Sequence, residues 1–560
     1  MGITHPPPSL GPRPAGDRSA SVREATARRL VRWRIDLILV SAAQMVIALL
    51  LLLVFLPPDA RVFTIQVVCI AFVYLGATPV AAALLQYTLI GVHSFRMKYE
   101  KLKPYYPRTT VVVPAWNEAA VIGATIEHLL EMDYPADRLR VVVVDDASSD
   151  DTPVIVQRKV AEHLGRVEHL RRERGGQGKA HTLNHGIAHV LANDWAEAVL
   201  IIDADVLFER DALRKMTRHL SDPDVGAVTA YIKEGTHDGN YLTRFIAYEY
   251  ITAQAAARRA QNVLGVLACL AGGAQLHSRD NLVAMGGRID TSSLAEDTVT
   301  TFKTQILRRR VEFEGNAVVW AEEPSDLDGL WKQRLRWGRG NIQISLQYLA
   351  IWGKNRGSFQ RLGGAPFLLL WFTVLCMPLL MFGASASLVT LYFIGAPVMW
   401  PVFKVLWIWH AVAYVFGTGM SLAIDTSTAK RCWREAILFP GVVSLLVMLY
   451  SVYPALFDVH VVHWLAQAGL VVTPRSREII TLLMYSWLFL CIPFAYAAKY
   501  LSDNPRLRWL APLTIYFVGY GPFLCAVTFA SYVKELRNEG AAWDKTVKRG
   551  RVRLGAASLR

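Results

Sequence analysis

Three acidic groups and one basic-aromatic group in this chain have the composition and spacing for chemistry on a phosphate-bearing substrate. Asp145 and Asp146 end the apolar run VVVV, and Asp203-Ala-Asp205 ends the run VLII. Carboxylates two apart at a strand end reach a common hard cation, Mg2+ or Mn2+, which prefers oxygen ligands and bridges phosphates. A plainer role competes, because Asp146 and Asp150 also suit the cap of a following helix in SSDDT. Glu296-Asp297 lies in SLAEDTVTTF, and Gln333-Arg334-Leu335-Arg336-Trp337 follows it. Arginines beside an aromatic ordinarily mark a surface helix, or one that meets lipid headgroups. What favours chemistry is the ordered set, DD, DxD, ED and QxxRW, in one segment.

The elements that must carry these residues show in the alternation of short apolar runs. TTVVVP, RVVVVDD, AVLIIDAD and VGAVTAY are bounded by polar turns and separated by helix-length stretches. That pattern predicts a mostly parallel α/β sheet over 104–347, and ligands of such sheets bind at the carboxyl ends of the strands. On either side the composition changes. Residues 38–56 and 65–91 are long and apolar enough for two membrane spans within 35–95. Five more runs follow within 365–533, and Val459–Val472 is a shorter stretch that makes the count five or six. A basic lead, 1–34, is expected to be disordered, and 534–560 reads as a basic tail. The arginines before the first span place the N-terminus and the α/β domain in the cytoplasm of a multi-pass plasma (inner) membrane protein. Five crossings would leave the basic tail outside, against the same rule.

Composition agrees. The 560 residues are 53% hydrophobic and 19% charged, with a formal charge of +14, and the mean hydropathy is +0.27. Disorder and a single water-soluble globule are excluded. The six scattered cysteines form no CxxC, which excludes a disulfide scaffold or a zinc finger. The basic residues cluster beside the spans and not along one groove-sized face, so no nucleic-acid partner is expected.

Taken together, Pro114-Ala-Trp-Asn117-Glu118, Asp145-Asp146, Gly178-Lys179-Ala-His-Thr-Leu-Asn184, Asp203-Ala-Asp205, Glu296-Asp297 and Gln333–Trp337 resemble the membrane-embedded family 2 glycosyltransferases. That group contains cellulose, chitin, hyaluronan and poly-N-acetylglucosamine synthases. The resemblance implies a GT-A (Rossmann-like) domain inserted between transmembrane helices. It implies that Pro114, Asn117, Glu118, Asp145 and Asp146 line the nucleotide pocket, with Lys179 near the diphosphate. Asp203 and Asp205 would face the ribose and a Mg2+ or Mn2+. Asp297, next to Glu296, would be the general base. Arg336 would contact phosphate, Gln333 and Arg334 would complete the diphosphate side, and Trp337 would support the acceptor sugar.

The leading expectation is therefore a processive, inverting enzyme that extends and translocates a β-linked polysaccharide. A single-transfer enzyme acting on a polyprenyl-phosphate or other lipid acceptor is the alternative, and a transporter with a regulatory domain is a third class. The chain shows no FxVT segment after QxxRW, and its tail is too short for a cyclic-dinucleotide barrel. The stretch Ala317–Gln343 resembles the poly-N-acetylglucosamine and chitin branch. The donor expected is UDP-N-acetylglucosamine, the acceptor a polysaccharide, with membrane lipid and an accessory membrane or export subunit as further partners.

Overall fold

A computed structural model describes residues 15–97, 99–236, 239–354, 361–469, 471–539, 550 and 552. The α/β domain is built on one eight-stranded sheet: β1 (Thr109–Ala115), β2 (Leu139–Asp145), β3 (Val167–Arg171), β4 (Ala198–Ile201), β5 (Val206–Phe208), β6 (Val225–Glu234), β7 (Gln275–Ser278) and β8 (Arg310–Ala321). The order is β3-β2-β1-β4-β7-β6-β8-β5. The four strands β3, β2, β1 and β4 are parallel. Beyond β4 the sheet is mixed, with β7 antiparallel to both β4 and β6 and β5 antiparallel to β8. β6 and β8 pair in parallel and run with the first four, so the mostly parallel expectation holds for six of the eight strands and only β5 and β7 are reversed. β5 and β7 are only three and four residues long, too short for a visible apolar run.

The continuous apolar runs are explained by burial on two faces. Val111, Val113, Val141 and Val143 point into one core, while Val112, Val142 and Val144 point into another on the opposite face. Within β1 only Thr109–Val112 pair with β4, so Pro114 lies past that ladder, where its missing N–H costs nothing.

The N-terminal lead differs from expectation. From Ala15 onward it is helical, in one helix running to Phe55; residues 1–14 lie outside the described set, as does most of the tail beyond Glu539. Composition at residues 23–34 reads as polar, yet the same turns continue without a break into the apolar span. Pro58–Arg96 follows as a second long apolar unit.

Among the described residues five helices are long and apolar enough to cross a membrane, or up to seven if each of two bent pairs is one span. The bent pairs are Thr426–Ile437 with Val442–Val452, at 73°, and Arg508–Val518 with Tyr520–Leu536, at 102°. Each bend occurs at a left-handed glycine, Gly441 or Gly519, and the two bends touch. A Cβ on Gly519 would lie 2.5 Å from the Pro440 carbonyl oxygen, so neither position accepts a side chain.

Both arms of the second pair rest on the α/β domain. Tyr516 donates to Glu435, which also pairs with Arg244. At the other end Glu535 pairs with Arg339 at 2.6 Å. The helix preceding the pair, Pro474–Asp503, ends near the same domain, with Lys499 3.0 Å from Asp328.

Candidate active site

The site forms where the carboxyl ends of β1, β2 and β4 meet two helices. The first is Lys179–Leu191, entered through Gly178 at φ 104°. Its first side chain, Lys179, reaches into the crevice. The ammonium pairs with Asp203, lies 3.8 Å from Glu296, and donates to the Gly272 carbonyl at 3.3 Å. Burial alone would lower this ammonium, but the charges of Asp203 and Glu296 outweigh it and raise its pKa.

The second helix, Glu296–Ile306, begins with the acidic pair itself. Glu296 is buried and Asp297 is partly exposed. Burial raises the Glu296 carboxyl, opposed by Lys179 and reinforced by Asp297. Asp297 accepts a hydrogen bond from the Thr298 N–H at 2.7 Å through Oδ1. Its Oδ2 borders Gly272, where an added Cβ would lie 3.4 Å from Oδ2 and 3.3 Å from Lys179 Nζ. The two acids thus have separate environments. Glu296 holds Lys179, while Asp297 keeps one oxygen toward the crevice at the positive end of a helix.

The helix bearing QRLRW runs from Leu327 to Gln347, capped by Asp326, which accepts from the Gly329 N–H at 2.8 Å. Its WGRG segment explains how closely it approaches the acids. A Cβ on Gly340 would lie 2.6 Å from Ala295 Cβ, one residue before Glu296, and Gly338 touches Ser531 in the same way. Trp331, at the start of the helix, packs edge-on against Tyr496 and Phe523 of the apolar helices.

Arg336 is partly exposed, and its charge acts on the Glu296 carboxyl in the direction opposite to burial. Arg334 differs. Its buried guanidinium makes two bonds to the Glu249 carboxylate, at 3.0 and 2.8 Å, and lies 4.1 Å from the Trp337 ring centre. Glu249 also accepts from the Tyr520 hydroxyl at 2.6 Å. Gln333 donates to Glu323 at 3.2 Å, and Glu323 accepts from Tyr250 at 2.6 Å. The diphosphate contacts expected of Gln333 and Arg334 are thus corrected: both side chains belong to a buried network joining this helix to Tyr241–Tyr250 and Tyr520–Leu536. Trp337 is partly buried, with the Arg334 guanidinium over its ring.

On the nucleotide side, the β1 and β2 loops clasp each other. The Asn117 and Glu118 N–H groups donate to Ser148 and Thr152, and Asn117 Oδ1 accepts from the Ser149 N–H at 2.8 Å. Asn117 adopts φ 54°, a conformation rare outside glycine. Asp145 is 0% exposed and accepts from the Ser148 N–H. That burial raises its carboxyl, but His169, Ser148 and Arg171 outweigh it and lower the pKa. Asp145 therefore holds the loop through one carboxylate oxygen, while its Oδ2 is buried without a hydrogen-bond partner. Asp146 pairs with Arg172 and accepts from the Gly176 N–H at 2.9 Å. The cap position of the following helix falls to Asp151, which makes no side-chain cap bond, while Asp150 accepts from the Thr152 N–H that opens that helix.

Asp203 and Asp205 are both partly exposed in the turn between β4 and β5. They are hard oxygen donors at one edge of the crevice, which suits Mg2+ or Mn2+ completed by phosphate oxygens. Among the described residues, three such ligand atoms converge only at Glu127, Glu162 and His163. Lys159 pairs with both carboxylates of that group, at 2.6 Å from Glu127 and 2.5 Å from Glu162.

Sequence reasoning missed Arg258, Glu249 and Tyr520. Arg258 is buried near Cys269 and Asp297. Burial lowers its guanidinium pKa against the pull of those two groups. The available signal was a lone charge in an apolar stretch, as in FIAYEYIT.

Residues 107–340 match the family described as Glycosyltransferase like family 2. Over 247 residues the chain is 32% identical to the probable glycosyltransferase YdaM of Bacillus subtilis, covering 44% of this chain and 57% of that one. It is 31% identical to the beta-monoglucosyldiacylglycerol synthase of Synechocystis, covering 43% and 50%. It is 28% identical to the poly-beta-1,6-N-acetyl-D-glucosamine synthase of Staphylococcus aureus, covering 42% and 55%. The match spans about half the length of each of these relatives.

Proposed function

We propose that this chain, whose residues 107–340 are a family 2 glycosyltransferase domain of GT-A-like fold, transfers sugar from a UDP-sugar with inversion to a growing β-linked polysaccharide. The observation that carries the reading is the gathering of Lys179, Asp203, Glu296 and Asp297 around Gly272. The QRLRW helix closes that cluster and docks it on apolar helices.

Lys179 and Arg336 supply fixed positive charge for the donor diphosphate. Asp297 Oδ2 takes the proton of the acceptor hydroxyl, whose oxygen then attacks the anomeric carbon as the bond to UDP breaks. Asp203 and Asp205 would hold the Mg2+ or Mn2+, which neutralises charge on the departing UDP. Trp337 offers a flat apolar face on which the acceptor sugar rests, and Asn117 and Glu118 line the nucleotide side with Pro114.

We read the chain as a multi-pass protein of the plasma (inner) membrane with the transferase domain in the cytoplasm, a reading supported by the helices long and apolar enough to cross a membrane and by the arginines before the first of them. N-acetylglucosamine is the sugar we favour, supported by the match to the poly-beta-1,6-N-acetyl-D-glucosamine synthase. Transfer of one sugar to a lipid acceptor is the second reading, supported by the match to a diacylglycerol glycoside synthase.

The test is incubation of the chain in lipid bilayers with a panel of labelled UDP-sugars, followed by linkage-specific hydrolases. The expected product is a long polymer from UDP-N-acetylglucosamine. A single-sugar glycolipid would establish the second reading. Polymer from UDP-glucose alone would overturn the sugar assignment and leave the chemistry standing.

A further inference from the structure

The Trp337 ring is braced by a chain of buried polar groups that begins in the apolar helices. The Arg334 guanidinium lies over the ring, 4.1 Å from its centre, where the ring's electron-rich face attracts a cation. Glu249 fixes that guanidinium in turn. Its two carboxylate oxygens accept from Nε at 3.0 Å and Nη2 at 2.8 Å, and a fork of this kind sets the plane of the guanidinium as well as its place. The Tyr520 hydroxyl donates to the same carboxylate at 2.6 Å. Glu249, Arg334 and Tyr520 are all buried.

A buried ion pair is a weak source of stability beside apolar side chains of the same volume, so stability alone does not account for this one. What it does supply is direction. On its other flank Arg334 donates through Nη1 to the Gln333 side-chain oxygen. Tyr520 is itself held firmly. It is the first residue after the 102° bend at Gly519, a bend that admits no side chain, and its ring stacks on Phe245 at 5.2 Å with 4° between the planes. A rigid corner of the apolar helices is thereby linked, through Glu249 and Arg334, to the orientation of one indole ring.

We propose that Glu249 and Tyr520 are positioning residues of the acceptor site: through Arg334 they fix the tilt of the Trp337 ring, and with it the approach of the acceptor hydroxyl to Asp297. The proposal rests on reading Trp337 as the acceptor platform. Neither residue touches substrate, and neither serves the donor.

The experiment uses the full chain in bilayers with labelled UDP-N-acetylglucosamine, or with whichever UDP-sugar the wild-type chain consumes. Two products are counted: sugar transferred to an acceptor, and free sugar released with UDP when water attacks instead. Water needs no platform, so the ratio of transfer to hydrolysis reports the acceptor side alone. Tyr520→Phe keeps the stacked ring and removes one hydroxyl. Its ratio should fall by about threefold to tenfold, and that of Glu249→Gln by up to about 10²-fold, the cost of a displacement of about 1 Å near the reacting atoms. In both variants the donor concentration for half-maximal hydrolysis should stay at the wild-type value. Tyr516→Phe, which loses its bond to Glu435 in the other arm of the same bend, should keep the wild-type ratio. An unchanged ratio in Tyr520→Phe, an equal loss of transfer and hydrolysis, or a fallen ratio in Tyr516→Phe would each overturn the proposal. Where Glu249→Gln fails to fold, Tyr520→Phe decides. A wild-type ratio in Trp337→Ala would instead overturn the platform reading, and a wild-type chain that consumes no UDP-sugar would overturn the transferase reading.

Discussion

Two arginines two residues apart in QRLRW have opposite assignments. Arg334 is a buried partner of Glu249, whereas Arg336 is partly exposed and its charge acts on Glu296. Removing one member of a buried ion pair leaves the other uncompensated, so Arg334→Met should cost about 3–5 kcal/mol of stability. Pairing it with Glu249→Gln should recover part of that loss, read as the thermal midpoint in detergent. Arg336→Ala should lower the midpoint less than Arg334→Met and raise the UDP-sugar concentration needed for half-maximal rate by roughly tenfold or more. An unstable Arg336→Ala, or a stable Arg334→Met with weak donor use, would reverse the two roles. The residue types of the site were legible in the sequence because carboxylates at strand ends and a permanent charge beside an aromatic announce phosphate chemistry. Which arginine serves which purpose was not legible. Glu249, the partner that decides it, lies 85 residues away and becomes a neighbour only through tertiary packing.

At the scale of elements, strands were readable where both faces are buried and hidden where they are short or alternate. β1, β2, β4 and β6 carry near-continuous apolar runs, but β7 is Gln275–Ser278 and buries Gln275 and His277. Polar residues in a central strand defeat a hydropathy pattern, and only the neighbouring strands make the position central. The end of β6 offers a test of burial against charge. Glu234 is 4% exposed, and burial pushes its carboxyl from an ordinary 4.5 up to about 7, against Thr236 and Arg431. Below pH 4.5 the folded and unfolded chains are both protonated there, so nothing is lost. Between 4.5 and 7 the unfolded chain ionises first, and stability falls as pH rises. Glu234→Gln should therefore raise stability at pH 8 by up to about 3 kcal/mol, read as a higher thermal midpoint, and change it little at pH 4. A larger gain at pH 4 than at pH 8 would show that the carboxylate is stabilising.

For the whole molecule, the second bent pair resolves the conflict between five C-terminal runs and a basic tail. Tyr516 in one arm packs against Tyr241 and Phe245, and Glu535 in the other pairs with Arg339, all three partners belonging to the α/β domain. Lys499, before the pair, bonds to that domain too. A segment fixed to one side at its beginning, middle and end does not carry the chain across. We therefore expect four crossings after the domain and a tail on the cytoplasmic side. Hydropathy alone counted that segment as a span because its residues are apolar; the 102° bend at Gly519 depends on a contact with Gly441 that no local pattern shows. A reporter fused after Arg560 should be reached only from the cytoplasmic face. A reporter accessible from outside would restore five crossings.

The central claim is that Asp297 is the base of sugar transfer from a UDP-linked donor, and one comparison tests it most directly. Wild type and Asp297→Asn are placed in bilayers, and UDP affinity and incorporation of labelled N-acetylglucosamine are measured on the same samples. Asn keeps the size of the side chain and its bond to the Thr298 N–H but cannot take a proton. Incorporation should fall by on the order of 10²–10⁴, with UDP affinity unchanged. Incorporation at the wild-type rate, or an equal loss of UDP binding, would contradict the account.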